Sequence, residues 1–268
     1  MTVSCSSGTE CLCNSEICNI FARQYEKYCL VFRMEHVSKS QQKLIRSLRL
    51  KKFRDESGLF VAEGVKCVEE LRKGFELVLL VNHDNATEKE IEQMSALKTP
   101  QGIIAIFRQH QATNLPTAGR QGEVILALDG IQDPGNIGTI IRTADWFGIT
   151  DIVCSADTAD CYNPKVVQAT MGSLTRVHVH YTDLVEWLGK SANSDIYGTM
   201  LDGRNIYEET LSKPAIIIMG NEGNGISPEV RRLVTHPLLI PSFRHGEHAE
   251  SLNVGIATAL TLAEFCRR

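Results

Sequence analysis

At 268 residues and 43% hydrophobic, the chain carries enough apolar sequence for two cores, and a two-domain protein is expected. Its formal net charge of -4 argues against a protein that coats nucleic acid non-specifically but leaves room for a local basic surface. No apolar run approaches the roughly 18 to 20 residues that span a bilayer, nor is there the apolar core of a secretory leader, so a cytoplasmic protein is expected.

Five of the nine cysteines, Cys5, Cys11, Cys13, Cys18 and Cys29, crowd into a Ser- and Asn-rich start. They form no CxxC pair, so residues 1–33 read as a disordered extension rather than a zinc knuckle, with Met34 a candidate translation start. Cys67, Cys154 and Cys266 sit in apolar stretches, where a thiol behaves as a small hydrophobe, and no structural disulfide is expected. From Ser40 to Lys52, Leu44, Ile45, Leu48 and Leu50 stand among basic residues as the apolar edge of a short helix. Every charge from Lys39 to Arg54 is basic: Lys39, Lys43, Arg46, Arg49, Lys51, Lys52 and Arg54. Such a run either neutralises phosphates or is a solvated helix face.

A strand LFVAEG, a helix VKCVEELRKG, a strand ELVLLVN, an acidic helix TEKEIEQMSAL and a strand GIIAIF follow, a small α/β layer spanning 34–108. Residues 109–122, polar and punctuated by Pro and Gly, read as a linker. From 123 to 268 the alternation resumes with strands VILALD, DIVCS, VHVHY, DIYGTML, AIIIMG and PLLIPS. Short β-branched runs alternating with helices predict a mostly parallel sheet covered on both faces, with ligands bound at its strand ends.

Three stretches of this second half carry chemistry. After VILALDGI, Asp133, Pro134 and Gly135 make a turn, Asn136 serves as N-cap, and Ile137, Ile140, Ile141, Ala144 and Phe147 form a buried stripe. Arg142 falls on the far side, with Gly138 a turn earlier leaving space in front of it. It either pairs with Asp145 or points at a phosphate. AIIIMGNEGNGISPEV is a buried strand, a glycine-rich loop and a helix capped by Ser227, with Glu222 in the loop. The loop reads GxxGxG and no acidic residue ends the next strand, so a nicotinamide site is poorly supported. In the last stretch Ser251 is placed to cap a helix that packs through Val254, Ala257, Thr258, Leu260 and Ala263. His245, Glu247 and His248 lack the HExxH spacing, so no metal is expected.

Taken together, NIGTIIR, MGNEGNG and SLNVGIATAL resemble the three motifs of the SpoU family of methyltransferases, in the family's order. NPKVVQATMGSL is similar to the segment between the first two, and residues 35–108 to the family's substrate-binding domain of the ribosomal-protein L30e type. The resemblance implies an α/β SPOUT domain with a C-terminal trefoil knot, which the ordinary rules of chain topology would not suggest. It further implies a homodimer whose C-terminal helix joins the contact, S-adenosylmethionine as cofactor, and transfer of its methyl group to a ribose 2'-hydroxyl of RNA, ribosomal RNA before transfer RNA. Asn136, Arg142, Glu222, Ser251 and Asn253 fall in the implied catalytic pocket, and Met219, Gly220, Ile240 and Leu252 against the cofactor. Lys43, Arg46, Arg49, Lys51 and Lys52, with Arg142, are the expected RNA contacts.

One departure is that the segment from Pro241 to Ser251 is longer than the family's usual link, which bears on Ile240. Two other readings compete, a silent RNA-binding protein with this fold and a Rossmann oxidoreductase. The five catalytic positions standing together favour the enzyme.

Overall fold

The structure, a computed structural model, describes residues 35–110, 114–117, 123–191, 194–244 and 251–267. The cysteine-rich start, His245, Glu247 and His248 lie outside these residues, as does part of the segment 240–253 on which the implied knot depends. Residues His36–Arg268 form one compact unit.

The basic stretch makes two helices rather than one, α1 (Lys39–Ser47) and α2 (Lys51–Ser57). Ser38 and Gln41 close α1 with a reciprocal capping box. Ile45 and Leu48 are buried as expected, whereas Leu50 lies in the break and is 60% exposed. Arg54 is no phosphate ligand: it is buried, donating through Nη1 to the Leu48 carbonyl (2.8 Å) and through Nε and Nη2 to Asp160 Oδ2 (2.9 and 2.6 Å). It therefore satisfies the helix break and ties it to a loop 106 residues away.

Strands β1 (Leu59–Glu63), β2 (Leu77–Val81) and β3 (Ile104–Arg108), with α3 (Val65–Leu71) and α4 (Glu88–Met94), complete the first layer. The sheet is antiparallel in the order β1-β3-β2. Strand alternation divides its side chains between two cores. Val61, Ile104 and Ile106 meet Ile45, Leu48, Ile91 and Met94 of α1 and α4. Phe60, Ala62, Ala105 and Phe107 share a cluster with α3 and with Ile137, Val166 and Val167 beyond the linker. One face of this sheet thus shares a core with the second half of the chain, while the other closes a core of the first layer's own.

Beyond the linker come β4 (Val124–Asp129), α5 (Pro134–Trp146), β5 (Asp151–Cys154), α6 (Pro164–Thr170), β6 (His178–Tyr181), α7 (Leu184–Gly189), β7 (Asp195–Asn205), β8 (Ala215–Gly220), α8 (Pro228–Arg231), β9 (His236–Leu239) and α9 (Val254–Arg267). The six strands are all parallel, in the order β6-β5-β4-β8-β7-β9. Residues Ile125–Leu128 and Ile216–Met219 are buried on both faces, as covered parallel strands must be. One face packs on α5, α6 and α9, the other on α7 and α8. Strand β7 continues past the expected Leu201 and bends to pair again with β9. At Gly203 a Cβ would sit 2.4 Å from the Leu238 main chain, so only glycine permits this crossing.

Among the described residues no helix is long and apolar enough to cross a membrane, and Cys67, Cys154, Cys161 and Cys266 are free thiols.

Because Arg54 is buried, removing its partner leaves an uncompensated interior charge. Asp160→Ala should lower the unfolding free energy by about 3 to 5 kcal/mol, measured by urea denaturation; a change below about 1 kcal/mol would show that water or another group replaces the carboxylate.

Candidate active site

The site forms where β4, β8 and β9 end. Strand β4 terminates at buried Asp129, whose Oδ2 accepts the Ser227 amide at 2.7 Å and so pins the far end of the glycine-rich loop. Asn221 organises the rest. Its amide and carbonyl pair with those of Gly225 at 2.9 Å each, its Oδ1 accepts the amides of Gly223 (2.9 Å) and Asn224 (3.0 Å), and its Nδ2 donates to the Gly130 carbonyl at 2.7 Å. Sequence reasoning passed over Asn221, although an Asn opening a Gly-x-Gly turn is a recognisable loop anchor. At Gly220 a Cβ would lie 2.3 Å from the Ile226 nitrogen, and Gly225 has φ +71°. The loop therefore closes over a strand end that cannot bear a side chain.

Glu222 is lifted to the loop's exposed edge, where its Oε1 accepts Asn136 Nδ2 at 2.8 Å. Asn136 Oδ1 in turn accepts Asn253 Nδ2 at 2.8 Å, and Asn253 Oδ1 accepts the amides of Gly255 (3.0 Å) and Ile256 (3.3 Å) at the start of α9. An ionised carboxylate only accepts and helix amides only donate, so both Asn side chains have one orientation that satisfies the chain. One residue from each motif is thereby joined in a single relay.

Two predicted caps move. Asp133, not Asn136, caps α5, accepting the Asn136 amide at 2.9 Å with Pro134 as the first helical residue. Asn253, not Ser251, caps α9. In each case the residue released or recruited is the one the relay uses. The buried stripe of α5 is as expected at Ile137, Ile140, Ile141 and Ala144, while Leu260 and Ala263 of α9 face outward.

Arg142 is exposed and has no bonding partner among the described residues. The pairing with Asp145 does not form: Asp145 accepts Ser173 Oγ at 2.7 Å and the Arg176 guanidinium at 2.7 to 3.1 Å. Those Arg176 hydrogen bonds, with Ser173, hold its carboxyl below the usual range. Gly138, expected to open space for Arg142, is instead buried against α6, where an added Cβ would stand 2.3 Å from Ala169 Cβ.

Beside the relay lies a cavity of about 490 Å³, within the size range of small-molecule sites. Met219, Gly220, Glu222, Ile240, Ser251 and Leu252 all line it, bringing together six of the residues singled out in the sequence. Thr199, Asp202 and Arg231 complete the wall, the last two as an ion pair. Thr199 and Asp202 carry no motif signal, since they reach the site from the bent strand β7, and Arg231 arrives from the end of α8. Of the basic run, Lys43 and Arg46 are exposed without a partner among the described residues. Lys51 and Lys52 pair with Asp55 and Glu56 along α2, and Arg49 donates to the Met94 and Ser95 carbonyls that end α4. No cluster of three metal-ligating side chains occurs among the described residues.

A covered parallel sheet whose strand-end loops enclose an apolar, glycine-lined cavity defines a cofactor-binding α/β domain. Comparison with known proteins makes the class specific. The SpoU rRNA Methylase family matches residues 123–263, and an MRM3-like substrate binding domain matches residues 39–90. The chain is 30% identical to the 23S rRNA (guanosine(2553)-2'-O)-methyltransferase RlmP of Bacillus subtilis, over 85% of this chain and 96% of that one. A putative RNA methyltransferase of the TrmH family from Porphyromonas gingivalis is 37% identical in structural alignment, with a TM-score of 0.75 over 86% of this chain and 98% of that one. The AdoMet-bound rRNA methyltransferase of Sinorhizobium meliloti is 31% identical, with a TM-score of 0.78 over 87% and 97%. The chain belongs to the SpoU family of RNA 2'-O-methyltransferases.

Gly220→Ala should weaken S-adenosylmethionine binding at least tenfold, because the new methyl must displace loop main chain rather than a flexible side chain. Titration calorimetry on the folded variant tests this; unchanged affinity would place the cofactor away from the loop.

Proposed function

We propose that this chain transfers the methyl group of S-adenosylmethionine to a ribose 2'-hydroxyl of structured RNA, ribosomal RNA first and transfer RNA second. The observation that carries this reading is the Asn253–Asn136–Glu222 relay standing beside a cavity of cofactor size. The relatives named as rRNA 2'-O-methyltransferases support it.

The residues present suit the cofactor. Met219, Ile240 and Leu252 offer aliphatic faces to an adenine ring, and Gly220 lets main-chain groups approach its edge. When bound, S-adenosylmethionine supplies a methyl group activated by its sulfonium. The protein's task is to hold a poor nucleophile in line and deal with its proton. Glu222 retains acceptor capacity beyond the Asn136 bond, so it and Asn136 orient the 2'-hydroxyl, while Ser251 and Asn253 shape the pocket. Arg142, with no partner among the described residues, presents a fork that fits a substrate phosphate near that hydroxyl.

Residues 34–108 act as the RNA-binding domain, 109–122 as its link and 123–268 as the knotted catalytic domain, with 1–33 an extension. Lys43 and Arg46 contact the RNA backbone directly. Lys51 and Lys52 exchange weak surface pairs for phosphates, and Arg49 contributes from the end of α4. The protein works in the cytoplasm as a homodimer. Ile256 and Leu260, 53% and 38% exposed on the outer side of α9, supply an apolar face for the second copy.

Incubation of the protein with labelled S-adenosylmethionine and unmodified ribosomal or transfer RNA, followed by alkaline hydrolysis, tests the reaction. Label should appear in alkali-resistant dinucleotides from ribosomal RNA, and label released only as mononucleotides would refute ribose methylation. Arg142→Ala should reduce transfer at least a hundredfold while leaving cofactor affinity within about twofold; loss of both would show that Arg142 supports the cofactor site.

A further inference from the structure

A second cavity, of about 770 Å³, lies apart from the one beside the relay. It lies along β6, the edge strand of the large sheet, and is closed on the other side by Lys51 of α2 and by Gln109 and His110 at the end of β3. Three exposed rings face it: His110, His178 and Tyr181. Each is held. His110 stacks on Phe75 at 3.9 Å between centroids, His178 stands 6.1 Å from His110, and the Tyr181 hydroxyl donates to the Ala159 carbonyl at 2.7 Å and accepts the Cys161 amide at 2.8 Å.

Main-chain groups complete the wall. The amides of His178 and Thr182 bond to β5, at 2.7 and 3.0 Å. Strand alternation therefore turns the amides of Val179 and Tyr181 away from β5, along the open edge. The charges around the cleft are already matched, Lys51 with Asp55 and Asp160 with Arg54. Among the described lining residues Lys51 is the one lysine or arginine, and its weak surface pair with Asp55 can be exchanged for the backbone phosphate of a strand whose neutral, planar base finds stacking faces and hydrogen-bonding main chain. Such a combination reads unstacked nucleobases.

The cleft is joined to the active site through the loop after β5. Ala156 and Thr158 of that loop line the cleft. Ser155 Oγ accepts the Gly130 amide at 2.8 Å, the Ala159 amide donates to Ile131 at 2.8 Å, and the Gly130 carbonyl accepts the Asn221 side chain next to Glu222. Strand spacing sets β6 roughly 15 Å from β8, a span of a few nucleotides. Resting on the RNA-methyltransferase reading above, we propose that this cleft is a subsite for one unstacked base of the same RNA strand, a few nucleotides from the methylated ribose. The base stacks on His178 or His110, whose rings stand too close and too tilted to sandwich it, and the β6 edge reads its rim. The subsite would set which sequence context presents its ribose to the relay.

The test follows the histidine imidazole resonances of the intact protein while a mixed-sequence single-stranded RNA hexanucleotide is added, and separately an extended peptide of six residues. The hexanucleotide should shift the His178 and His110 signals and the peptide should not. Signals that move only with peptide would make the cleft a protein-docking edge, and signals that move with neither would overturn the proposal. This readout needs no methyl transfer, so it stays separate from failure of the catalytic reading. In the transfer assay, His178→Ala should raise KM for RNA roughly tenfold with kcat and cofactor affinity unchanged. His178→Tyr, which keeps a ring, should restore KM; equal impairment of the two would contradict stacking.

Discussion

The arrangement rests on a chain of two side-chain amides held between a carboxylate and a helix end. Glu222 only accepts, the amides of Gly255 and Ile256 only donate, and Asn136 and Asn253 fill the interval with one hydrogen-bond polarity. The three loops it joins are drawn from a stretch of 117 residues, from Asn136 to Asn253. Without the relay each would be an independent strand-end loop. With it, the glycine-rich loop, the start of α5 and the start of α9 become one surface, and the cavity behind them has a fixed wall.

That surface is braced from behind. Asp145, on the same helix as Asn136 and Arg142, is held by Ser173 and Arg176, and Arg176 also approaches Glu70 of α3 at 3.6 Å. Glu70 belongs to the first layer, and Phe60 and Phe107 of that layer share a core with α5 and α6. The buried Arg54–Asp160 pair adds a second tie. The first layer is therefore fixed with respect to α5, the helix that carries Asn136 and Arg142.

Much of this was legible in the sequence because periodicity reports burial: each expected strand is present and Ile137, Ile140, Ile141 and Ala144 of the α5 stripe are buried, while β7 runs past Leu201, β9 stops at Leu239 short of the expected Ser242, and Phe147 lies just past the helix end, half-buried. The motif residues were legible only as a resemblance, since spacing alone left Arg142 between two roles. Caps were misplaced where several residues able to cap stand close together, Asp133 to Asn136 and Ser251 to Asn253. Which of them caps is decided by a partner from another part of the chain. Arg54 read as one more surface cation because its partner is 106 residues away. Thr199, Asp202 and Arg231 gave no signal, for the first two reach the cavity from the bent strand β7 and the third from the end of α8, where it pairs with Asp202.

If the relay is one device, its members should fail together. The most direct measurement is a double-mutant cycle on methyl transfer, comparing Asn136→Ala, Asn253→Ala and the double variant by kcat/KM. A unit predicts that the double variant is little worse than the more damaged single one. Losses that multiply, each substitution costing the same with or without the other, would show that the two residues act independently and that the relay does not organise the site.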